Sequence, residues 1–575
     1  MQLPPYRPRQ FVPAAIDLGD WAQLSPQFDR LEQRVRQART VAEFEQWLLD
    51  WGELSAAIDE ESSRRYIAMT CHTEDAEAER AYLDFIEKID PQLKPRQFAL
   101  AKLYIAHPFR GQLPRPRYDM FDRDTQVTVE LFRQDNVPLE TEEAKLGQQY
   151  QKLTGSLTVP FHGEEKTLVQ MGRYLEEPDR VLRQEAWELV ANRRLQERER
   201  FEDFYDQLLN LRGQIAGHAG HRSYLDYVFR QRRRFDYTPA DCVKFHDAVE
   251  QEVMPVVREL QTARRRQLNL PSLRPWDLAV DPMNRPALRP FQDVGALAEG
   301  AQKIFDRLDP GLGGDFRLMR EQRLLDLDNR KGKAPGGYQS NLNECRLPFI
   351  FMNAVGLQRD VETLLHEGGH AFHALATKDE ELFAYRNNVP LEFAEVASMS
   401  MELLGNQHLD VFYDEAGARR ARRAHLETVV TILPWVATVD AFQHWIYTHP
   451  GHAREERAQA WLALLDRFGG EIDWSGYAAA RSFLWHRQLH IFLSPLYYIE
   501  YGIAQLGALQ VWANSRRDKA RALQAYQRAL AIGGARPLPE LFRAAECRFE
   551  FSRETMRPMM DLVRAELSSL ASGPL

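Results

Sequence analysis

Apolar residues recur every three or four positions over long stretches of the chain, a spacing that places them on one face of an α-helix. The pattern runs through residues 28–105, resumes after residue 167 and fills most of the chain from residue 389 onward. Charged residues are frequent between the apolar positions, as in helices that are buried on one side. The sequence therefore predicts a mainly α-helical protein.

A proline-rich stretch at residues 107–122 interrupts the helical pattern with HPFRGQLPRPRYDMFD. Proline lacks a backbone donor and does not fit inside a helix, so such a stretch is typical of a linker. We place a boundary there, near residue 115. The prediction is an N-terminal helical lobe of residues 1–115 and a second region of residues 116–575.

Three segments favour β-structure. Residues 125–132 (TQVTVELF) alternate with a period of two, and residues 157–168 (LTVPFHGEEKTL) predict two short strands around a His-Gly turn. Residues 333–353 (KAPGGYQSNLNECRLPFIFMN) predict a loop and two strands. The glycine-rich GKAPGG at the start of this loop lacks the spacing of a phosphate-binding loop, and we interpret it as a flexible loop on the substrate side.

The composition is that of an ordinary globular protein, with 44% hydrophobic and 27% charged residues among 575. The formal net charge of −9 provides no positive field for nucleic acid or anionic membranes. The first residues contain prolines where a secretory signal needs an apolar core, and the 4 cysteines form no CxxC pair. We predict a soluble cytoplasmic protein with no nucleic-acid or membrane partner, whose oligomeric state the sequence does not define.

Residues 364–374 read LLHEGGHAFHA and carry the strongest candidate chemistry. In a predicted helix of about residues 360–376, three histidines form a stripe opposite the apolar face: His366, His370 and His373. His366 and His370 are four residues apart, so their imidazoles can converge on one ion, with Glu367 on the flank. This HExxH pattern is typical of zinc peptidases, in which the glutamate takes a proton from the activated water.

Other interpretations of these histidines remain open. The pairs His370/His373 and His486/His490 also have helical spacing, but no carboxylate lies between their members. The HExxH helix could also be a buried helix whose histidines are only hydrogen-bonded. A third ligand is therefore needed to support a metal site.

The segment at residues 389–404, VPLEFAEVASMSMELL, offers three carboxylates on one helical stripe. Glu392 lies in a first turn, where it complements the helix dipole. Glu402 could be surface charge or the partner of a histidine. Glu395 lies among apolar neighbours, where an unpaired carboxylate is costly and a metal would relieve that cost.

Two adjacent glycines interrupt the HExxH helix, and each costs roughly 1 kcal/mol relative to alanine. Gly368 lies on the apolar face, where we predict that it lets a neighbouring element approach closely. Gly369 lies beside the histidine stripe, where we predict that it leaves room for metal or substrate.

With these residues, the sequence resembles the zinc oligopeptidases related to thimet oligopeptidase, especially the oligoendopeptidase F and Pz-peptidase branch. The family pattern is HExGHxxH with a glutamate ligand 25 residues after the second histidine, and 370 + 25 selects Glu395. The resemblance implies one zinc ion bound by His366, His370 and Glu395, with Glu367 as the general base. It also implies a mainly α-helical, bilobed shell around a deep substrate channel, with a small β-sheet next to the HExxH helix.

Two further segments are similar to the family. The first, HIFLSPLYYIEYGIAQ, implies catalytic roles for His490, Tyr498 and Tyr501 and substrate binding by Tyr497. Tyr498 or Tyr501 could each stabilise the oxyanion. The second, RLPFIFMNAV, is similar to the strand that pairs with substrate, so we expect an edge strand at residues 349–353 whose substrate-binding residues are Phe349, Phe351 and Asn353. Gly369 is the family's glycine and completes the predicted substrate site.

The function implied by this resemblance is zinc-dependent hydrolysis of internal bonds in short unfolded peptides. Two alternatives remain. A peptidyl-dipeptidase would release dipeptides from the C-terminus of its substrate, and a non-catalytic relative would bind peptides without cleaving them. The intact set of His366, Glu367, His370 and Glu395 argues against the second alternative, because a binding protein has no need of an activated water.

Overall fold

The computed structural model of the chain describes residues 3–571, apart from residues 331 and 335. Most of these residues are helical, and the predicted small sheet precedes the HExxH helix. The predicted mainly α-helical class is therefore confirmed. The α-helices are α1 Trp21–Gln37, α2 Val41–Cys71, α3 Ala76–Asp84, α4 Asp90–Ala106, α5 Asp119–Leu131, α6 Asn136–Gly155, α7 Leu168–Met171, α8 Arg180–Gln196, α9 Arg198–His218, α10 Tyr224–Gln231, α11 Pro239–Ala248, α12 Met254–Gln267, α13 Val294–Leu308, α14 Pro310–Glu321, α15 Gln358–Ala376, α16 Phe383–Asn387, α17 Leu391–Gly405, α18 Glu415–Thr448, α19 Arg454–Phe468, α20 Ala478–Ser482, α21 Leu489–Leu493, α22 Tyr498–Arg517, α23 Lys519–Leu530, α24 Leu538–Ala544 and α25 Arg553–Ala571.

Internal contacts divide the chain into two compact units, each assembled from three stretches. The first unit contains the residues up to Glu130, then Arg289–Arg422 and Gly507–Phe549. The second unit contains Leu131–Leu288, Arg423–Leu506 and the residues from Glu550 onward. The predicted division into a lobe of residues 1–115 and a region of 116–575 stays a prediction. No helix in the described part of the chain is long and apolar enough to span a bilayer.

The N-terminal helices of the first unit share a core of fully buried aromatic and aliphatic side chains, including Phe28, Phe44 and Leu100. The helix α2 begins where Thr40 and Glu43 form a capping box, which satisfies the first free backbone donors of the helix. The indole of Trp47 is buried but keeps a hydrogen bond, because its N–H donates to the carbonyl of Leu31 at 2.9 Å.

A hairpin in the second unit confirms one predicted pair of strands. Strands β1 (Thr158–Phe161) and β2 (Glu164–Thr167) pair antiparallel, so that Phe161 lies opposite Glu164. The two turn residues both have positive φ, 49° at His162 and 83° at Gly163. This geometry matches the right-handed twist of the flanking strands, which explains the His-Gly turn.

The three-stranded sheet of the first unit corrects the predicted edge strand. Strand β5 (Leu347–Ala354) lies between β3 (Leu325–Asp328), which is parallel to it, and β4 (Tyr338–Leu342), which is antiparallel to it. The backbone of β5 is therefore used on both sides, and the prediction of an edge strand at residues 349–353 is wrong. The sequence analysis missed β3, because LDLD is too short to show a period.

The predicted strand at residues 125–132 is also wrong, because residues 125–131 continue α5. Two threonine hydroxyls are satisfied inside the helix: Thr125 donates to the carbonyl of Phe121 at 2.7 Å, and Thr128 donates to that of Asp124 at 3.1 Å. Threonine often makes this bond to the preceding turn. Eight residues of alternation were too few to outweigh the helical context upstream.

Candidate active site

The helix α15 carries the HExxH residues and confirms the helix predicted at about residues 360–376. Its start is fixed by Asp360, whose carboxylate accepts hydrogen bonds from the backbone N–H groups of Val355 and Leu357, both at 2.8 Å. These bonds satisfy donors that have no partner within the helix. The chain reaches α15 directly from the central strand β5, so the sheet and the helix lie next to each other.

Three predicted ligands converge where α15 packs against α17. One ligand atom each from His366, His370 and Glu395 lie within 4.8 Å of one another. The Glu395 Oε2 atom is 3.4 Å from Nε2 of His366 and 3.7 Å from Nε2 of His370. The two imidazole rings are nearly perpendicular, at 82°, with centroids 4.9 Å apart.

This arrangement fits a zinc ion by donor type and by spacing. Zinc binds imidazole nitrogen and carboxylate oxygen at about 2.0–2.2 Å in tetrahedral geometry, which separates neighbouring ligand atoms by about 3.3–3.5 Å. The observed separations of 3.4 and 3.7 Å lie close to that range. Three protein ligands leave one position of a tetrahedral ion open, as hydrolytic zinc sites require.

A second glutamate of α17 orients the first histidine. Glu402 Oε1 lies 2.6 Å from Nδ1 of His366, which leaves the Nε2 atom directed at Glu395. Burial by itself lowers the pKa of His366, but the hydrogen bond and charge of Glu402, with the charges of Glu395 and Glu367, raise that pKa to about 9. The sequence analysis left Glu402 as surface charge or histidine partner, and the structure selects the second.

Burial and one hydrogen bond set the state of the other polar groups around the ligands. The hydroxyl of Ser398 donates to Oε2 of Glu395 at 2.9 Å. Burial holds the pKa of His370 well below its usual value, so this imidazole is neutral and its lone pair can serve a metal. The third histidine, His373, packs against the ring of Phe393 instead, and burial lowers its pKa to about 4.

Glu367 lies next to the ligands and has the protonation behaviour of a base poised near neutral pH. Its side chain is buried, which raises the pKa of the carboxyl to about 7 against the opposing charge of His366. The charges of Glu395 and Glu402 raise it further, whereas a hydrogen bond from the backbone N–H of Gln339 lowers it. Gln339 belongs to β4, so an edge strand of the sheet adjoins the predicted base.

The two glycines of α15 make room for different neighbours. A Cβ at Gly368 would lie 2.9 Å from the ring of Phe305, on the apolar face as predicted. A Cβ at Gly369 would lie 2.6 Å from both the carbonyl oxygen of Ala397 and Cα of Ser398. The glycine therefore lets the backbone of α17 approach closely, and the predicted role of Gly369 in substrate binding stays a prediction.

The predicted substrate residues of β5 have structural roles. Phe349 and Phe351 are 3% and 0% exposed, because β5 is buried on both faces. The amide of Asn353 donates to the carbonyls of Ala334 and Gly336 at 2.8 and 2.9 Å. These side chains therefore support the sheet and its loop, and the substrate-binding roles predicted for Phe349, Phe351 and Asn353 stay predictions.

The loop that precedes β4 is anchored at Lys333, whose side chain is fully buried (0% exposed). Its ammonium donates to the carbonyls of Asp326, Asp328 and Met352 and to the carboxylate of Asp326, at 2.5–3.1 Å. The expectation of a flexible GKAPGG loop is therefore corrected at Lys333. Residue 335 of this segment lies outside the described residues.

The other predicted catalytic residues form a group of their own in the second unit. The amide of Gln488 donates to Nδ1 of His490 at 2.9 Å, and its carbonyl accepts from the indole of Trp435 at 3.0 Å and the hydroxyl of Tyr498 at 3.2 Å. The ring centroids of Tyr497, Tyr498 and Tyr501 lie 5.6, 5.0 and 5.9 Å from that of His490.

This network fixes the state of His490. Burial, with the charge of Arg232, lowers the pKa of His490 to about 4, so the ring is neutral near pH 7. Since Nδ1 accepts a hydrogen bond from Gln488, the single ring proton is on Nε2, which is then a donor. The roles predicted for His490, Tyr497, Tyr498 and Tyr501 toward a substrate stay predictions.

Sequence reasoning missed several supporting residues. Ser398 follows Glu395 by three positions and Gln488 precedes His490 by two, so proximity to a predicted site residue was the available signal. No such signal exists for Gln339, which reaches Glu367 only through the fold.

A mainly helical fold with a two-histidine, one-glutamate group and an adjacent buried carboxyl defines a candidate metallohydrolase. Comparison with known proteins narrows this class. The pattern of Peptidase family M3 matches residues 173–561, and that of the Peptidase M3 N-terminal domain matches residues 12–132. The chain therefore belongs to peptidase family M3.

Individual relatives agree with this assignment. The oligoendopeptidase F homolog of Borreliella burgdorferi is 23% identical over 50% of this chain and 49% of its own length. That of Lactococcus lactis subsp. lactis is 26% identical over 27% of this chain and 25% of its own. The chain thus spans a quarter to a half of these relatives. A structure of Pz peptidase A with an inhibitor is 29% identical, with a TM-score of 0.88 over 97% of this chain and 99% of that one.

Proposed function

We propose that this chain is a zinc-dependent endopeptidase that hydrolyses internal bonds of short, unfolded peptides. The observation that carries the proposal is the convergence of His366, His370 and Glu395 beside the buried carboxyl of Glu367. Membership of peptidase family M3 supports peptides as the substrate class. A cytoplasmic role in peptide turnover remains a prediction from the sequence.

Glu367 is the proposed general base. When bound by the three ligands, a zinc ion would supply Lewis acidity that activates water and polarises a carbonyl. Glu367, whose pKa is raised to about 7 mainly by burial, accepts the proton of the attacking water and then transfers it to the leaving amine. Glu402 holds the imidazole of His366 in orientation during both steps.

We further propose that a peptide substrate adds as a strand to β4. Among the described residues β4 pairs only with β5, which leaves its second edge to a partner strand. The N–H of Gln339 that reaches Glu367 belongs to this strand, so a peptide along β4 would pass the base. Recognition through backbone groups would tolerate many side chains.

His490, Tyr498 and Tyr501 are the predicted donors to the oxyanion of the transition state. The neutral ring of His490 carries its proton on Nε2, and this N–H can donate a hydrogen bond to the oxyanion. The hydroxyl of Tyr498 donates to the amide oxygen of Gln488, so Tyr498 would have to release that bond to serve the oxyanion. Tyr498 and Tyr501 both stay candidates for this role.

Digestion of a peptide that is blocked at both ends tests this function. An endopeptidase cleaves it internally, and mass spectrometry of the products would show both halves. A peptidyl-dipeptidase would cleave only the matched peptide with a free C-terminus. If zinc-loaded protein cleaves neither peptide, the proposed hydrolysis is wrong.

A further inference from the structure

Two helices of the second unit face each other with chemically active side chains. Cys242 and His246 are four residues apart on α11, and Asp440 and His444 are four residues apart on α18. This spacing puts each pair on one face of its helix. The four residues share no member with the group around His366, and the proposed peptidase function does not use them.

Three donor atoms of this group lie close enough together to share one ion. The Sγ atom of Cys242, a carboxylate oxygen of Asp440 and a ring nitrogen of His444 lie within 4.8 Å of one another. Nε2 of His444 is 3.4 Å from Oδ2 of Asp440, close to the roughly 3.3 Å between nitrogen and oxygen ligands of tetrahedral zinc. Cys242 supplies the third donor atom within the same 4.8 Å limit.

Asp440 is positioned by the fourth residue. Nε2 of His246 lies 2.8 Å from Oδ2 of Asp440, and the rings of His246 and His444 are nearly perpendicular, at 83°. A histidine that donates to a carboxylate is a common way of orienting a ligand.

Two polar atoms in this group lack a hydrogen-bond partner within the described residues: Oδ1 of Asp440 and Nε2 of His444. The side chain of Asp440 is 0% exposed and that of His444 is 11% exposed. Leaving a buried polar atom unpaired costs about 1–3 kcal/mol, and more for a charged group. A cation bound by the carboxylate of Asp440 and the imidazole of His444 would give these atoms a partner.

The charges of the proposed ligands would balance that of a divalent ion. A divalent ion with one thiolate, one carboxylate and neutral histidine has no net charge. The nearby guanidinium of Arg234 has its own partner, Glu500, at 2.7 Å. Burial and the charge of Asp440 raise the pKa of Cys242, so the free thiol is protonated, but a divalent ion deprotonates a thiol that it binds.

We propose that Cys242, Asp440 and His444 bind a second divalent metal ion, with His246 as the residue that orients Asp440. The mixed sulfur, nitrogen and oxygen donors suit zinc better than magnesium or calcium, which prefer oxygen. Because the donors are buried and join α11 to α18, the ion acts as a cross-link inside the second unit.

Cobalt substitution tests this site directly in the whole protein. A thiolate bound to Co²⁺ gives a charge-transfer band, and the ligands around His366 include no cysteine, so the band reports the second site alone. We expect the band in the wild type, retained in His366→Ala and lost in Cys242→Ser. The matched control is Cys547→Ser, which removes another buried cysteine and should keep the band.

Zinc analysis of the same proteins gives the stoichiometry. We expect about two zinc ions per wild-type chain and about one in either His366→Ala or Cys242→Ser. A wild type that binds one zinc ion and shows no thiolate band overturns the second site, as does a band that persists in Cys242→Ser. If Cys242→Ser does not fold, as judged by circular dichroism, the wild-type and His366→Ala spectra decide the question on their own.

Discussion

Glu402 holds the Nδ1 side of His366 at 2.6 Å, while the opposite nitrogen of the same ring faces Glu395 at 3.4 Å. One imidazole thus connects a carboxylate outside the ligand group to a carboxylate within it. Such partners fix the ring orientation and raise the basicity of the ligand nitrogen. This relationship explains why α17 carries Glu395 and Glu402 on the same face, the one that meets His366.

The first prediction concerns that partner. Glu402→Gln should weaken zinc binding by about 10- to 100-fold, because the amide cannot supply the negative charge that orients and polarises His366. Competition with a chromogenic chelator measures the affinity. The control is Glu392→Gln, which removes a buried carboxylate from the same helix outside the ligand group. Equal zinc affinities in wild type and Glu402→Gln would contradict the role.

The second prediction compares the adjacent glycines by the same substitution. Gly369→Ala places a methyl group 2.6 Å from the backbone of Ala397, whose carbonyl is also held by the hydroxyl of Tyr526 at 2.8 Å. Overpacking of this kind costs about 1–3 kcal/mol. It should also displace α17 and reduce zinc affinity.

Gly368→Ala is the matched variant. Its methyl group meets the Cζ end of the Phe305 side chain at 2.9 Å, and a side-chain end can shift more readily than backbone. A gain of about 1 kcal/mol in helix propensity offsets part of that contact. We expect near wild-type stability by urea unfolding, so equal losses in the two variants would argue against a close approach of α17 at Gly369.

The third prediction concerns the second unit. Gln488→Leu removes the donor to Nδ1 of His490, so the imidazole should populate both tautomers, which the ¹⁵N shifts of the ring report. Peptide turnover should fall by about 10- to 100-fold with zinc content unchanged. Tyr498→Phe leaves the bond between Gln488 and His490 intact and should keep the wild-type tautomer. A single unchanged tautomer in Gln488→Leu would refute the positioning role.

The fourth prediction uses the pKa of Glu367 in the metal-free protein. Burial, as the largest cause, raises this pKa from 4.5 to about 7, so the folded state binds more protons than the unfolded state between these values. Stability should therefore fall as pH rises through this window, by up to about 3 kcal/mol above pH 7. Glu367→Gln has no carboxyl to ionise at this position, so it should not lose this stability as pH rises.

The measurement is urea unfolding of both metal-free proteins from pH 4 to pH 8. Glu367→Gln should match the wild type near pH 4 and exceed it at pH 8. A difference in stability that does not change with pH would mean that Glu367 titrates near its ordinary value.

How far the sequence predicts this molecule depends on the range of the interactions involved. The helical spacing of His366 and His370 is local and was sufficient to place both on one face. Selection of Glu395 needed the family spacing, because Glu392 and Glu402 share its stripe. The apolar run of β5 is typical of a strand buried on both faces, yet only the pairing with β3 and β4 shows that it is central.

Other features depend on contacts that no period encodes. A helical wheel shows which way Gly369 faces, but it does not show that the backbone of α17 occupies the space there. Likewise, the separate pairs on α11 and α18 become a group only when the two helices meet, so no spacing in the sequence points to Cys242 as a ligand.

The central claim is that Glu367 is the base of a zinc peptidase. Its most direct test is turnover of a doubly blocked peptide by Glu367→Gln, with zinc content measured on the same sample. The account predicts wild-type zinc content and a loss of about 100- to 10,000-fold in kcat. Wild-type turnover in Glu367→Gln, or activity that survives complete removal of zinc, would contradict it.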